Sequence, residues 1–128
     1  MASINSFRDL NVFKNSMDLA VEIHRITADF PKEERYSLTD QIRRSSRSVP
    51  ANIAEGWRKR RYKAAFISKL NDSEGEAAET QVWLDIAHKL SFLTMEKWEH
   101  LNSGYEKILG QLVKMINEPS KWCLPNEK

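Results

Sequence analysis

Leu38-Thr39-Asp40-Gln41-Ile42-Arg43-Arg44-Ser45-Ser46-Arg47-Ser48-Val49-Pro50-Ala51-Asn52-Ile53-Ala54-Glu55-Gly56 decides the fold of this chain. At about 100° per residue, Leu38, Ile42, Ser45, Val49 and Ile53 fall within roughly 80° of one another on a helix, whereas Arg43 and Arg47 point the opposite way. One side of such a helix packs and the other meets water or a partner. Pro50 removes one backbone donor inside the run, but the apolar stripe continues on both sides of it, so a kinked helix is expected and not a broken one.

Three further helical patterns surround this one. The first follows Asp9, a candidate N-cap, and carries Val12, Leu19, Ile23, Ile26 and Phe30 until Pro31 stops it. The turn 31–37 leads into the quoted run, with Ser37 or Thr39 as its cap, and Gly56 with the basic residues 58–61 ends or bends it. A third pattern spans about 62–90, with Phe66, Leu70, Ala77 and Leu84 inside and the small residues Gly75, Ala77 and Ala78 available for a close helix contact. Thr94 can cap a fourth, whose Trp98, Leu101, Tyr105, Ile108, Leu112 and Met115 recur every three or four residues. No strand alternation or repeat interrupts the series. The expected class is all-α, with a four-helix bundle domain over residues 1–118 and a short C-terminal tail over 119–128 anchored by Trp122.

A length of 128 residues suits one domain with a substantial core. The single Cys123 has no partner for an internal disulfide and no Cys or His at ligand spacing, so an inert thiol is expected. The first residues lack the apolar core of a signal peptide and no stretch is long and apolar enough to span a bilayer, so a cytoplasmic location is expected.

Chemistry must be weighed against packing at each polar cluster. Metal-binding bundles use paired Glu-x-x-His motifs on facing helices, and the nearest match is one Asp85-x-x-His88 pair. Glu96 with His100, and His24 beside the first stripe, lack a second set of ligands, so neither metal nor other cofactor is expected. No phosphate loop, Cys-His pairing or nucleophile elbow is present, and Ser45, Ser46 and Ser48 suit a helix contact better than nucleophilic work. No enzyme is expected. Gln41, Ser48, Asn52 and Glu55 line the border of the apolar stripe, where partial burial calls for hydrogen-bond partners, and a structural polar network is expected of them.

Charge arrangement is the strongest functional cue, because a net charge of +2 conceals segregation. Arg43, Arg44, Arg47, Arg58, Lys59, Arg60, Arg61 and Lys63 face a single acid, Glu55, over that stretch. Were the helix continuous through Gly56, Arg43, Arg47, Arg58 and Arg61 would lie within about 60° on the face opposite the stripe, as a basic ridge. Asp72, Glu74, Glu76, Glu79 and Asp85 make the third helix acidic. Three readings stay open: the ridge contacts nucleic-acid phosphates, it meets the acidic helix of a neighbouring subunit, or it is a solvated surface.

Successive landmarks carry a resemblance across nearly the whole chain: Phe7-Arg8-Asp9-Leu10, then Phe30-Pro31-Lys32-Glu33-Glu34-Arg35-Tyr36-Ser37-Leu38-Thr39, Gln41-Ile42-Arg43-Arg44, Asn52-Ile53-Ala54-Glu55-Gly56, Phe66-Ile67-Ser68-Lys69-Leu70 and Glu79-Thr80-Gln81-Val82-Trp83-Leu84. In this order they resemble the small bacterial four-helix bundle family that includes the proteins encoded in intervening sequences of 23S ribosomal RNA genes and, more distantly, the accessory protein of diversity-generating retroelements. Gly75-Glu76 stands where the family commonly has Gly-Ser, and Leu90-Ser91-Phe92 where it has Leu-Gly-Tyr. The resemblance implies an antiparallel up-down bundle, assembled as a homopentameric ring, without enzymatic activity. It also implies an RNA-related or DNA-related role through basic surfaces, which falls here on Arg43, Arg44, Arg47 and the cluster from Arg58 to Lys63. The expected function is non-enzymatic nucleic-acid binding without sequence specificity through the basic ridge; the alternative is a scaffold whose ridge makes subunit or partner-protein contacts.

Overall fold

The computed structural model describes residues 3–125. Residues 1, 2 and 126–128, which the expected domain and tail include, lie outside them. Four helices, α1 (Asn11–Thr27), α2 (Leu38–Arg58), α3 (Lys63–Lys89) and α4 (Met95–Asn117), form the described part, together with short 3-10 turns at Phe7–Asp9, Lys32–Glu34 and Pro119–Lys121. Each helix packs on its neighbours in the closed order α1, α2, α3, α4 and back to α1.

Paired residues show that every neighbour runs antiparallel. Between α2 and α3, Gly56 lies against Leu70, Val49 accepts a hydrogen bond from Ser73 at 2.9 Å, and Ser45 meets Thr80 at 2.8 Å. Between α1 and α4, Asn15 bonds Gln111, the Leu19 side chain closes on Gly104, and Glu22 bonds His100. The short connections 59–62 and 90–94 leave no other direction for consecutive helices.

The stripe of Leu38, Ile42, Ser45, Val49 and Ile53 is wholly buried and meets Phe66, Leu70, Leu84, Leu101, Tyr105, Ile108 and Leu112 in one core. α2 runs through Pro50 without interruption, as its continuous stripe requires.

Several local details differ from the sequence expectation. Asp9 does not cap α1. It closes a capping box with Ser6 around the turn Phe7–Asp9, and Leu10, which offers no side-chain acceptor, stands at the start of α1. Ser37 stands at the start of α2 but donates its hydroxyl to Glu34 at 2.6 Å, and the same Glu34 oxygen accepts from the Leu38 N–H. Gly75 and Ala78 face outward, with open space around Gly75; the close helix contacts fall on Gly56 and Gly104.

α3 is apolar on two sides. Phe66, Leu70, Ala77, Leu84 and Ala87 are buried, while Gly75, Ala78, Val82, Ile86 and Leu90 recur every three or four residues on the exposed surface. Val82 and Leu90 each leave 51% of their surface uncovered.

Candidate nucleic-acid interface

α2 ends at Arg58 because the chain turns immediately beyond it. Lys59 N–H donates to Gly56 O and Tyr62 N–H to Lys59 O, both at 3.0 Å, and α3 begins at Lys63. α2 is continuous through Gly56, but this turn ends it before Arg61, so the ridge that a longer continuous helix would give loses that residue. Arg43, Arg47 and Arg58 stay on one face of α2, Arg58 about 16 Å further along the axis than Arg47, but Arg61 and Lys63 leave that helix.

The basic side chains divide into two groups. Four are engaged by their own chain. Arg43 Nε donates to Thr27 Oγ1 at 2.8 Å and its Nη2 to His24 O at 3.0 Å, tying α2 to the last turn of α1. Arg47 Nη2 donates to His24 Nδ1 at 3.1 Å. Arg44 reaches the other way, to Glu79 and, at 3.3 Å, to Glu76; the Glu79 hydrogen bond does most to hold its guanidinium charged. The acidic middle of α3 is thus met by an arginine of the same chain. The Arg60 guanidinium lies over the Trp57 indole, 3.6 Å from its centroid, and donates to Trp57 O at 2.8 Å and Trp122 O at 3.5 Å.

Arg58, Lys59, Arg61 and Lys63 make up the second group. All four are exposed, and none forms an ion pair or side-chain hydrogen bond among the described residues. They crowd one tight turn with Tyr62, which is 66% exposed. No acidic side chain occupies the first turn of α3 beside the corner. The segment after α4 buttresses the corner from behind: Leu124 N–H donates to Arg60 O at 3.1 Å, and Trp122 and Cys123 pack against the core. Burial pushes the Cys123 thiol up, with Lys63 and Arg60 acting in the opposite direction.

Asp40, Arg43, Arg44, Arg47, Ser48 and Ala51 line a shallow open depression of about 560 Å³ on the outer face of α2. Two of its arginines reach out of it, Arg43 to α1 and Arg44 to α3.

Gln41, Ser48, Asn52 and Glu55 do not join into one network. Gln41 accepts from Arg44 at 3.4 Å, Ser48 donates to Arg44 O, and Asn52 donates to Ser48 O, all within α2, while Glu55 pairs with Lys69 of α3 at 2.8 Å. Polar contacts deep between α2 and α3 come instead from Ser45 with Thr80 and from Ser73 with Val49 O. Sequence reasoning placed Ser45 at a helix contact; its partner Thr80 gave no signal, because a lone threonine in a helix has many uses. His88 stacks on Trp98, which donates to Asp85 at 2.9 Å, so that pair serves the α3–α4 seam.

A closed ring of four antiparallel helices around a single core, with a bare basic corner between the second and third, defines a four-helix bundle. The chain belongs to the 23S rRNA-intervening sequence protein family, which residues 8–116 match. A crystal structure of a protein of unknown function from the S23 ribosomal protein family of Bacteroides thetaiotaomicron is similar to it at a TM-score of 0.75 and 31% identity, over 83% of this chain and 95% of that one. No curated protein matches.

Proposed function

We propose that this protein is a non-enzymatic, oligomeric nucleic-acid-binding bundle of the cytoplasm, whose phosphate-contacting surface is the α2–α3 corner. One observation carries the reading: of eight clustered cations, the four of the corner have no ion-pair or hydrogen-bond partner for their side chains among the described residues, while Arg43, Arg44, Arg47 and Arg60 are held by the chain itself. Cations left unpaired on one turn are the electrostatic footprint of phosphate binding, and contacts to phosphate alone carry no sequence specificity. The depression lined by Arg43, Arg44 and Arg47 lies on the same helix, and by helical geometry Arg43 and Arg47 share a face with Arg58, so a strand held at the corner has further arginines along α2.

Assembly rests on α3. A helix apolar on opposite sides is satisfied only when both are covered, and Val82, Ile86 and Leu90 give a second copy of this chain a matching seam. Five copies in a ring is the number the family resemblance implies. Asn52 and Glu55 are engaged by Ser48 O and Lys69, which supports a structural role for them.

Titration of labelled RNA and matched DNA duplex at several salt concentrations, with protein mass fixed by light scattering, tests the reading. Saturable binding that weakens steeply with salt is expected, together with a mass of several chains that Ile86→Glu reduces to one. Absence of binding at low salt overturns the nucleic-acid reading and leaves the scaffold alternative, in which the corner docks a protein.

A further inference from the structure

Tyr62 is the one exposed large aromatic of the basic corner among the described residues, and its backbone is anchored at both ends. Its N–H donates to Lys59 O at 3.0 Å and its carbonyl accepts from Phe66 N–H at 2.9 Å, which fixes the Cα at the start of α3 while the ring stands in solvent. The other highly exposed tyrosine, Tyr36, has the Arg35 guanidinium 6.0 Å from its ring centroid, but no cation lies over the Tyr62 ring among the described residues. An uncovered aromatic face therefore sits between Arg61 and Lys63, within one turn of Arg58 and Lys59.

Cations that follow a phosphate backbone, interleaved with an aromatic ring, make up the recognition chemistry of an unpaired strand. Bases in a duplex present only their edges to the grooves and keep their faces stacked, so a duplex can use the cations but not the ring. We propose that Tyr62 is a base-stacking platform and that the corner takes single-stranded nucleic acid, with Arg58, Lys59, Arg61 and Lys63 holding the flanking phosphates. This inference rests on the nucleic-acid reading above and narrows it to an unpaired strand.

Tyr62→Ala and Tyr62→Phe test it against a short unstructured RNA carrying the fluorescent base 2-aminopurine and against a duplex of the same sequence. Stacking on the ring should quench the fluorescence, and Tyr62→Ala should weaken single-strand binding by roughly 5- to 150-fold and abolish the quenching. Tyr62→Phe should stay within about twofold of the parent, because the ring face is kept. Both variants should retain the parent salt dependence, since neither removes a cation, and circular dichroism of each should match the parent. Equal affinity for duplex and single strand, with Tyr62→Ala indistinguishable from the parent, would overturn the stacking inference while leaving phosphate binding intact. Failure of the parent to bind either form would overturn both.

Discussion

The guanidinium of Arg60 lies 3.6 Å from the centroid of the Trp57 indole, three residues back in the chain, and the two close the corner between α2 and α3. Arg60 thereby serves as a structural pin amid surface cations. Partial burial lowers its affinity for the proton, an effect that the nearby Arg58 reinforces.

Replacing Arg60 by Ala removes the cation–π contact and the hydrogen bonds to Trp57 O and Trp122 O, so a loss of about 1–2 kcal/mol in stability is expected. Arg61→Ala, at an exposed position, should change stability by less than about 0.5 kcal/mol. Urea denaturation of the two variants separates them, and equal losses would contradict the division of the cluster into pin and contact residues.

α3 ends in a Schellman motif: Phe92 N–H donates to Ala87 O at 2.8 Å and Ser91 N–H to His88 O at 3.0 Å. Ser91 pays the geometric cost, with φ at 68° in the left-handed region that glycine tolerates best. Ser91→Gly should raise stability by about 0.5–1 kcal/mol, measured as a higher urea midpoint with unchanged slope.

Two hydroxyls share their protons between α2 and α3. Thr80 Oγ1 lies 2.9 Å from Glu76 O, and Ser45 Oγ lies 2.8 Å from Thr80 Oγ1 but 3.4 Å from Ile42 O, so Thr80 donates to the carbonyl and Ser45 donates to Thr80. Thr80→Val should therefore cost more, about 1–2 kcal/mol, than Ser45→Ala. Adding Ser45→Ala to Thr80→Val should recover part of the loss, and strict additivity in the double-mutant cycle would contradict the proton assignment.

The Tyr105 hydroxyl is fully buried with no hydrogen-bond partner among the described residues. Burial pushes its ionisation far up, helped by Glu22. Tyr105→Phe should be neutral or stabilising by up to about 1 kcal/mol at pH 7. The folded tyrosine resists ionisation that the unfolded one undergoes near pH 10, so the parent loses stability as pH rises above that value and Phe removes this loss. The advantage of Tyr105→Phe over the parent should widen in denaturation curves taken above about pH 10.

The packed half of each helix was legible because burial repeats: Leu38, Ile42, Val49 and Ile53 mark a core stripe whatever they touch. Thr94 capping α4 was legible for the same local reason. The division of the cations was not. Whether an arginine is free depends on which helix lies across from it, and His24, Thr27, Glu76 and Glu79 come opposite Arg43, Arg44 and Arg47 only after the bundle closes. The turn at 59–62 was legible in outline, since Gly56 and the basic residues 58–61 were read as the end or bend of the second helix, with the third starting near 62. The second apolar side of α3 was written in Val82, Ile86 and Leu90 but obscured by the inner stripe that shares the helix.

The most direct test compares salt dependence of single-stranded RNA binding in two variants: one with Arg58, Lys59, Arg61 and Lys63 changed to Gln, the other with Arg43, Arg44 and Arg47 changed to Gln. Each phosphate contact contributes about 0.7 to the slope of log affinity against log salt on a single strand. The corner variant should lose about 0.7 for each cation removed and most of its affinity, and the α2 variant should lose less on both counts. A corner variant that keeps the parent slope and affinity would contradict the assignment of the α2–α3 corner as the phosphate-contacting surface.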